Sequence, residues 1–417
     1  MLRNHIGFAL FMSLLLIAPK IPLKISGGVE GSSVSLGLAG LVLWYLACPD
    51  KLLRFPRLRL SHPLSWLITF AVYALILSLL SANTARIAYS VQYLLYVVMG
   101  TILVKRYGDN ISDKDYDRLC SILSLIALVY GIGIVVSLFT GPIYPHQVRA
   151  TLRRWEGLTI QQGVGFAESQ NMAGPVVMFF AAACIYLYRG KAWKKWILLT
   201  LLLSALLATL SRGAIVSFGV ALCFVYWLDC VEPFVRRASL KVSVLKNMGF
   251  VVLTFGFLLI TLIVAIHLTN KGLLPATLAG LGLTHQHSVV STDMAARFNL
   301  WTWGLDTWAS GNLLRMVFGG GFRSSMVAAD YGAWRDAHNV YITILGDFGV
   351  IGLALFIGAL SAAFFRYTRL FLTGKAGALE KFGLLVLLGL SIDNMTGPYF
   401  YSPVCLSLLI FTLAVTL

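Results

Sequence analysis

Apolar stretches of roughly 17 to 25 residues, the length that carries a helix across a hydrocarbon core about 30 Å thick, recur along this chain from end to end. Twelve spans are expected, at 5–19, 32–48, 63–82, 86–104, 118–139, 171–188, 195–210, 212–228, 248–268, 339–363, 382–398 and 402–416. A chain with 58% hydrophobic and 12% charged residues would not stay soluble as a water-facing globule. Arg3 precedes the first apolar run, but no small-residue cleavage pattern follows, so the run reads as a helix rather than a signal peptide. Neither low-complexity stretches nor an internal period of roughly 20 to 50 residues is evident. The expected fold is an all-α, polytopic membrane helix bundle of about 12 transmembrane helices, with residues 1–417 as a single integral membrane domain. Two long connections stand out, 140–170 and a partly helical 269–338 between the ninth and tenth spans.

Charge orients the bundle. Placing the amino terminus in the cytoplasm puts Arg3, "KLLRFPR" with Arg59, Lys105, Arg106, Lys114, Arg118, "RGKAWKK", Arg236, Arg237, Lys241, Lys246, Arg366, Arg369, Lys375 and Lys381 on that side. The short opposite loops then hold only Lys20, Lys24, Arg86 and Arg212, which satisfies the positive-inside rule and leaves both termini cytoplasmic. Eight further basic residues fall in the two long outer loops: Arg149, Arg153, Arg154, Lys271, Arg297, Arg315, Arg323 and Arg335. Nearly all are arginine, whose planar fork suits phosphate oxygens, so an anionic partner on the outer face is expected beside ordinary contact with membrane lipids. A net charge of +16 shared between two membrane faces, with no recognisable nucleic-acid fold, argues against a nucleic-acid partner.

The chemistry-bearing residues cluster on that outer side. His338 opens the tenth span in "RDAHNVYITILGDFGVIGL", with Asp336 or Asn339 available to cap the helix, and a neutral imidazole there can accept a proton from a hydroxyl. Arg212 interrupts a long apolar run in "LATLSRGAIVSF", marking a tight turn; arginine at membrane depth is costly unless it faces a cavity or counter-charge. "DMAARFNLWTWGLD" reads as an amphipathic surface helix that keeps Arg297 near the headgroup plane, with Trp301, Trp303 and Trp308 as interfacial aromatics. "FGGGFRSS" sets flexible backbone beside Arg323. In "RRWEGLTIQQGVGFAESQNMAGPV", Arg153 and Arg154 with Gln161, Gln162, Gln170 and Asn171 supply anion and sugar-hydroxyl contacts. Gln170 and Asn171 also serve as simple caps in the blander reading, and Pro175 suggests a kink. The six cysteines avoid the long outer loops, so disulfides are not expected. The outer acidic residues and the histidines lack metal-ligand spacing, and neither a Walker A nor a dinucleotide loop occurs, so no metal or other cofactor is implied.

"TLSRGA", "ARFNLWTWGLD", "GGGF" and "HNVYITILGDFGVIGL" together resemble the O-antigen ligase and O-antigen polymerase superfamily of bacterial envelope glycosyltransferases. The resemblance covers roughly residues 145 to 365, and the hydropathy layout extends it to the whole chain. It implies transfer of a preassembled glycan from undecaprenyl diphosphate on the periplasmic side of the inner membrane, without nucleotide or metal. In ligase members the acceptor is lipid A-core, and the product is lipopolysaccharide. His338 matches the family's essential histidine, Arg212 and Arg297 match its essential arginines, and Asp393 is a further match near the outer end of the eleventh span. The expectation is an inverting displacement: His338 deprotonates the acceptor hydroxyl while Arg212, Arg297 and Arg154 stabilise the departing diphosphate. Arg149, Arg153, Arg323, Gln170, Asn171, Asn339, Tyr341 and Asp393 are the expected diphosphate- or glycan-binding residues.

Three alternatives stay open, the first a protein O-oligosaccharyltransferase, whose relatives often carry an additional soluble periplasmic region not expected here. A polymerase uses the same donor; its paired Arg, ten residues, Gly motif is met once here, by Arg154 and Gly165, and not in 269–338. A transporter or flippase belongs to a different class and predicts charges at mid-span and inverted repeats, whereas apart from Asp347 the charges here lie near span ends.

Overall fold

The computed structural model describes residues 20–22, 33–35, 62–108, 113–140, 153–155, 158–160, 163–167, 169–209, 211–237, 288–325, 327–328, 334–335, 337–397 and 402–414. Within them the chain is helical apart from three short antiparallel hairpins: β1 (Lys20–Pro22) with β2 (Ser33–Ser35), β3 (Arg153–Trp155) with β4 (Leu158–Ile160), and β5 (Val327–Ala328) with β6 (Trp334–Arg335). The helices are α1 (Pro63–Leu80), α2 (Thr84–Gly108), α3 (Asp113–Thr140), α4 (Gln170–Leu187), α5 (Ala192–Ala208), α6 (Arg212–Arg237), α7 (Ser288–Ala309), α8 (Leu313–Phe318), α9 (Val340–Leu372), α10 (Ala378–Asp393) and α11 (Pro403–Ala414).

Every expected span from residue 63 onward meets a helix except 248–268, which lies outside the described residues, as does 5–19. The span expected at 32–48 opens in extended backbone, since Ser33–Ser35 pairs with Lys20–Pro22; residues 36–48 lie outside the described residues. Among the described residues, four helical segments are long and apolar enough to cross a membrane: Pro63–Leu80, Tyr116–Leu138, Arg212–Val231 and Val340–Leu372. These mark an integral membrane protein.

Local sequence explains the helix starts. Pro63 stands in the first turn of α1, where its missing N–H is no loss, and His62 Nδ1 caps the helix by accepting from the Leu64 N–H at 3.1 Å. The α4 cap falls on Ser169, whose hydroxyl accepts from the Met172 N–H, rather than on Gln170 or Asn171. The helix then runs through Pro175 without interruption.

The core centres on α4, where Ala173 and Val176 to Ala182 have no exposed surface. It packs against α3, α5, α6 and α10. In lipid there is little hydrophobic drive between helices, and close packing of small side chains replaces it. Gly174 illustrates this: a Cβ there would lie 2.5 Å from Ala214 Cβ, so α4 and α6 touch at their first turns.

The tenth span is not one straight rod. At Gly349 the backbone takes φ 64° and ψ −169°, and α9 breaks into a short arm, residues 340–348, and a long one, residues 350–372. The rings of Tyr341 and Phe356 have centroids 6.3 Å apart, where about 22 Å would separate those positions on a straight helix. The short arm is therefore folded back toward the long one. Phe70 of α1 fills the angle, its ring 5.1 Å from that of Phe348 and 5.8 Å from that of Phe356.

Asp347 holds the apex. Its backbone carbonyl accepts from the Gly320 and Gly321 N–H groups, both at 2.8 Å. Its carboxylate, fully buried, accepts from the Arg323 N–H at 2.8 Å and from the Ser325 N–H and hydroxyl, both at 2.7 Å. A buried carboxylate without such partners would be costly, so the glycine-rich loop and the broken helix require each other.

Candidate active site

The short arm of α9 carries His338 to a junction of helix ends. Asn339 is the N-cap of α9, and its Oδ1 accepts from the Tyr341 N–H at 3.0 Å and the Ile342 N–H at 3.3 Å. Ala337 and Asn339 are buried, while His338 between them is exposed and sits at φ 46°. That left-handed conformation costs a non-glycine residue about 1 kcal/mol or more, and it turns the imidazole outward from two buried neighbours.

The same turn is fastened to the end of α10. The Val340 N–H donates to the Asn394 carbonyl at 2.9 Å, and the Tyr341 hydroxyl donates to the Ser391 carbonyl at 2.8 Å. Asp393, next to that cap, is fully buried. It abuts the first turn of α6: a Cβ on Gly213 would lie 2.7 Å from Asp393 Oδ1 and would collide with Thr396 Oγ1. Arg212, the first residue of α6, is exposed there. The turn before it is set by Thr209, whose hydroxyl accepts from the Ser211 N–H at 3.2 Å.

Two further elements reach this junction. Gly174 of α4 packs on Ser211 and Ala214, which brings Asn171, partly exposed in the first turn of α4, to the same end of the bundle. Helix α7 crosses the start of α9 at Gly304, where a Cβ would lie 2.8 Å from Ile342 Cγ2 and 3.0 Å from Ala337 Cβ. Arg297 stands seven residues earlier on the same helix, about 10 Å along the axis. The N-termini of α4, α6 and α9 thus gather beside the C-terminus of α10, and each N-terminus contributes partial positive charge suited to an anion.

The other expected residues divide. Asn339 and Tyr341 use their polar atoms to fix the turn at His338. Arg323 lies elsewhere, on the loop held by Asp347, at φ 57°, with its guanidinium 4.3 Å from the centroid of the Tyr89 ring. Arg153 and Arg154 pair through the backbone with Ile160 and Thr159 in the β3–β4 hairpin. The side chains of Arg153, Arg154, Gln170 and Arg297, and the whole of Arg149, Gln161 and Gln162, lie outside the described residues.

Sequence reasoning gave no role to Asp347 or Arg86. A lone carboxylate inside an apolar run was the available signal for Asp347. Arg86 carried none beyond its place in a short loop, yet its Nη1 donates to the Gly320 carbonyl at 3.0 Å.

The described residues thus define a class, an integral membrane helix bundle, in which three helix N-termini and the turns bearing His338 and Arg212 lie at the end of α10. A family model described as O-Antigen ligase matches residues 197–357, a stretch that holds Arg212, Arg297, Arg323 and His338. The match supports the O-antigen ligase family and, with it, a glycosyltransferase-like ligase or polymerase function. No curated protein matches the chain.

Proposed function

We propose that this protein is an O-antigen ligase, an inverting and metal-independent glycosyltransferase. It moves a preassembled glycan from undecaprenyl diphosphate to lipid A-core on the periplasmic face of the inner membrane, with both termini cytoplasmic and the connections 140–170 and 269–338 periplasmic. One observation supports the reading: Val340, two residues after His338, bonds Asn394, and Gly213, next to Arg212, packs on Asp393, while the helix that carries Arg297 crosses the start of α9 at Gly304.

His338 takes the proton of the acceptor hydroxyl as that oxygen attacks the anomeric carbon. The bond from that carbon to the diphosphate oxygen breaks, and the electron pair leaves with the diphosphate. Arg212 and Arg297, with Arg154, stabilise the charge that grows there, and the N-termini of α4, α6 and α9 add their partial positive charge. Attack opposite the leaving group inverts the anomeric configuration. Asp393 acts from beneath: packed against Gly213, it sets the first turn of α6 and with it the direction of Arg212. Asn171 and Gln170 serve the glycan hydroxyls, and Asn339 and Tyr341 position the base.

The test offers purified protein the lipid-linked glycan together with either lipid A-core or a second lipid-linked glycan. Product on lipid A-core supports the ligase; elongation of the second lipid-linked glycan in its place assigns a polymerase. Transfer to neither rejects both.

A further inference from the structure

The mechanism leaves a second cationic cluster unused, around the loop Gly319–Ser325. Arg86 Nη1 donates to the Gly320 carbonyl and Arg315 Nη2 to the Ser324 carbonyl, both at 3.0 Å. Arg323 stacks on Tyr89, one turn along α2 from Arg86, so the two guanidinium groups flank one helical turn. The carboxylate at this loop, Asp347, is occupied by the Arg323 N–H and by Ser325. Among the described residues, none of the three arginines pairs with a carboxylate. Among the described residues, three arginines thus stand around this loop with one carboxylate.

The cluster is built rather than incidental. Arg323 is held at φ 57°, a conformation that costs an arginine free energy, by a fully buried anchor that takes the N–H groups at 323 and 325. Both Arg86 and Arg323 are half-buried, so phosphate contacts there are less screened than on an open surface. Arg86 spends one of its five N–H donors on the Gly320 carbonyl, and no hydrogen bond within the described residues engages the Arg323 guanidinium.

Its position separates it from the transfer site. The loop is tied to the apex of the broken helix, while His338 lies at the far end of the short arm, about 13 Å away at helical rise. A diphosphate, two phosphorus atoms joined by one oxygen, is too short to span that interval. Moreover, Arg86 belongs to α2 and Arg323 leans on it, whereas Arg212 and Asp393 belong to α6 and α10.

We propose that Arg86 and Arg323 form a second anion site, which takes a phosphoryl group carried by the acceptor glycolipid and holds that lipid while its distant sugar hydroxyl reaches His338. This rests on the transfer reading above, with the donor diphosphate at Arg212. It reassigns Arg323 from donor to acceptor.

The experiment uses the full chain in lipid nanodiscs, with Arg86→Gln, Arg323→Gln and the double variant. Transfer is measured with acceptor varied at saturating donor, and the reverse. Each single variant is expected to raise the acceptor KM about tenfold, the effect of losing one charge-assisted contact, with donor KM and kcat unchanged. A phosphatase-treated acceptor should show the raised KM with the wild-type protein and no further rise with the variants. A raised donor KM instead, or full use of the dephosphorylated acceptor by the wild type, overturns the proposal. Native mass spectrometry supplies a readout without turnover: phosphorylated glycolipid should stay bound to the wild type and be lost from the double variant. Equal, arginine-dependent retention of phosphatidylglycerol would make this a general headgroup site and also overturns it. Arginine-dependent glycolipid binding without any transfer would sink the transfer reading and leave the site standing. Transfer with an unchanged acceptor KM would do the opposite.

Discussion

The N–H of Val340 donates to the carbonyl of Asn394 at 2.9 Å, which ties the first helical residue after His338 to the residue after Asp393. A proposed base just before α9 and a carboxylate on α10 are thereby held by a main-chain bond, to which the Tyr341 hydroxyl adds its bond to the Ser391 carbonyl.

His338→Ala should abolish glycan transfer with little change in thermal stability, since an exposed residue is removed and surface substitutions usually fall within about 0.5 kcal/mol. Transfer assays alongside a melting curve in detergent check this. Full activity in a folded variant rejects the base.

Arg212→Lys and Arg297→Lys keep the charge but lose the planar fork. Each should lower kcat by about 100-fold, the scale of losing one donor to a developing negative charge. Near-normal turnover in either variant would remove it from the diphosphate site.

Gly213→Ala tests the contact between α6 and Asp393. The added methyl lies 2.7 Å from Asp393 Oδ1 and meets Thr396 Oγ1, so the first turn of α6 must shift. A fall in kcat of at least about tenfold, at a stability cost of about 1–3 kcal/mol from overpacking, is expected. Wild-type kinetics would show that Arg212 does not depend on this packing.

Gly349→Ala should destabilise the protein by about 2 kcal/mol or more, because the backbone there is left-handed and a Cβ would run into the Val317 carbonyl. Chemical or thermal denaturation measures it, and an unchanged midpoint would contradict the break in α9.

Transfer should also persist in the presence of EDTA. Loss of activity restored by a divalent cation would overturn the metal-independent mechanism.

Hydropathy made most helices legible from α1 to α11, because the lipid requirement acts on each segment separately and leaves its mark in local composition. The break at Gly349 did not show, since "GDFGVIGL" is as apolar as a continuous span. What breaks it is a contact more than twenty residues away in sequence, the Gly320 and Gly321 N–H groups on the Asp347 carbonyl. The Asn339 cap was readable from its place before an apolar run, and the structure carries it. The separation of Arg323 from His338 was not, because both belong to one long connection and only the fold sets Arg323 on the loop at the apex of α9 and His338 at the far end of its short arm. Arg86 looked like an ordinary short-loop cation for the same reason.

The folded-back arm also divides labour within one continuous segment. Residues 350–372 alone cover about 34 Å at helical rise, enough for the hydrocarbon thickness. The nine residues before them are thus released from the duty of threading the bilayer. Under the proposed mechanism, sequence drift in that arm would retune which sugar hydroxyl meets the imidazole while the anchorage of the protein stays as it is.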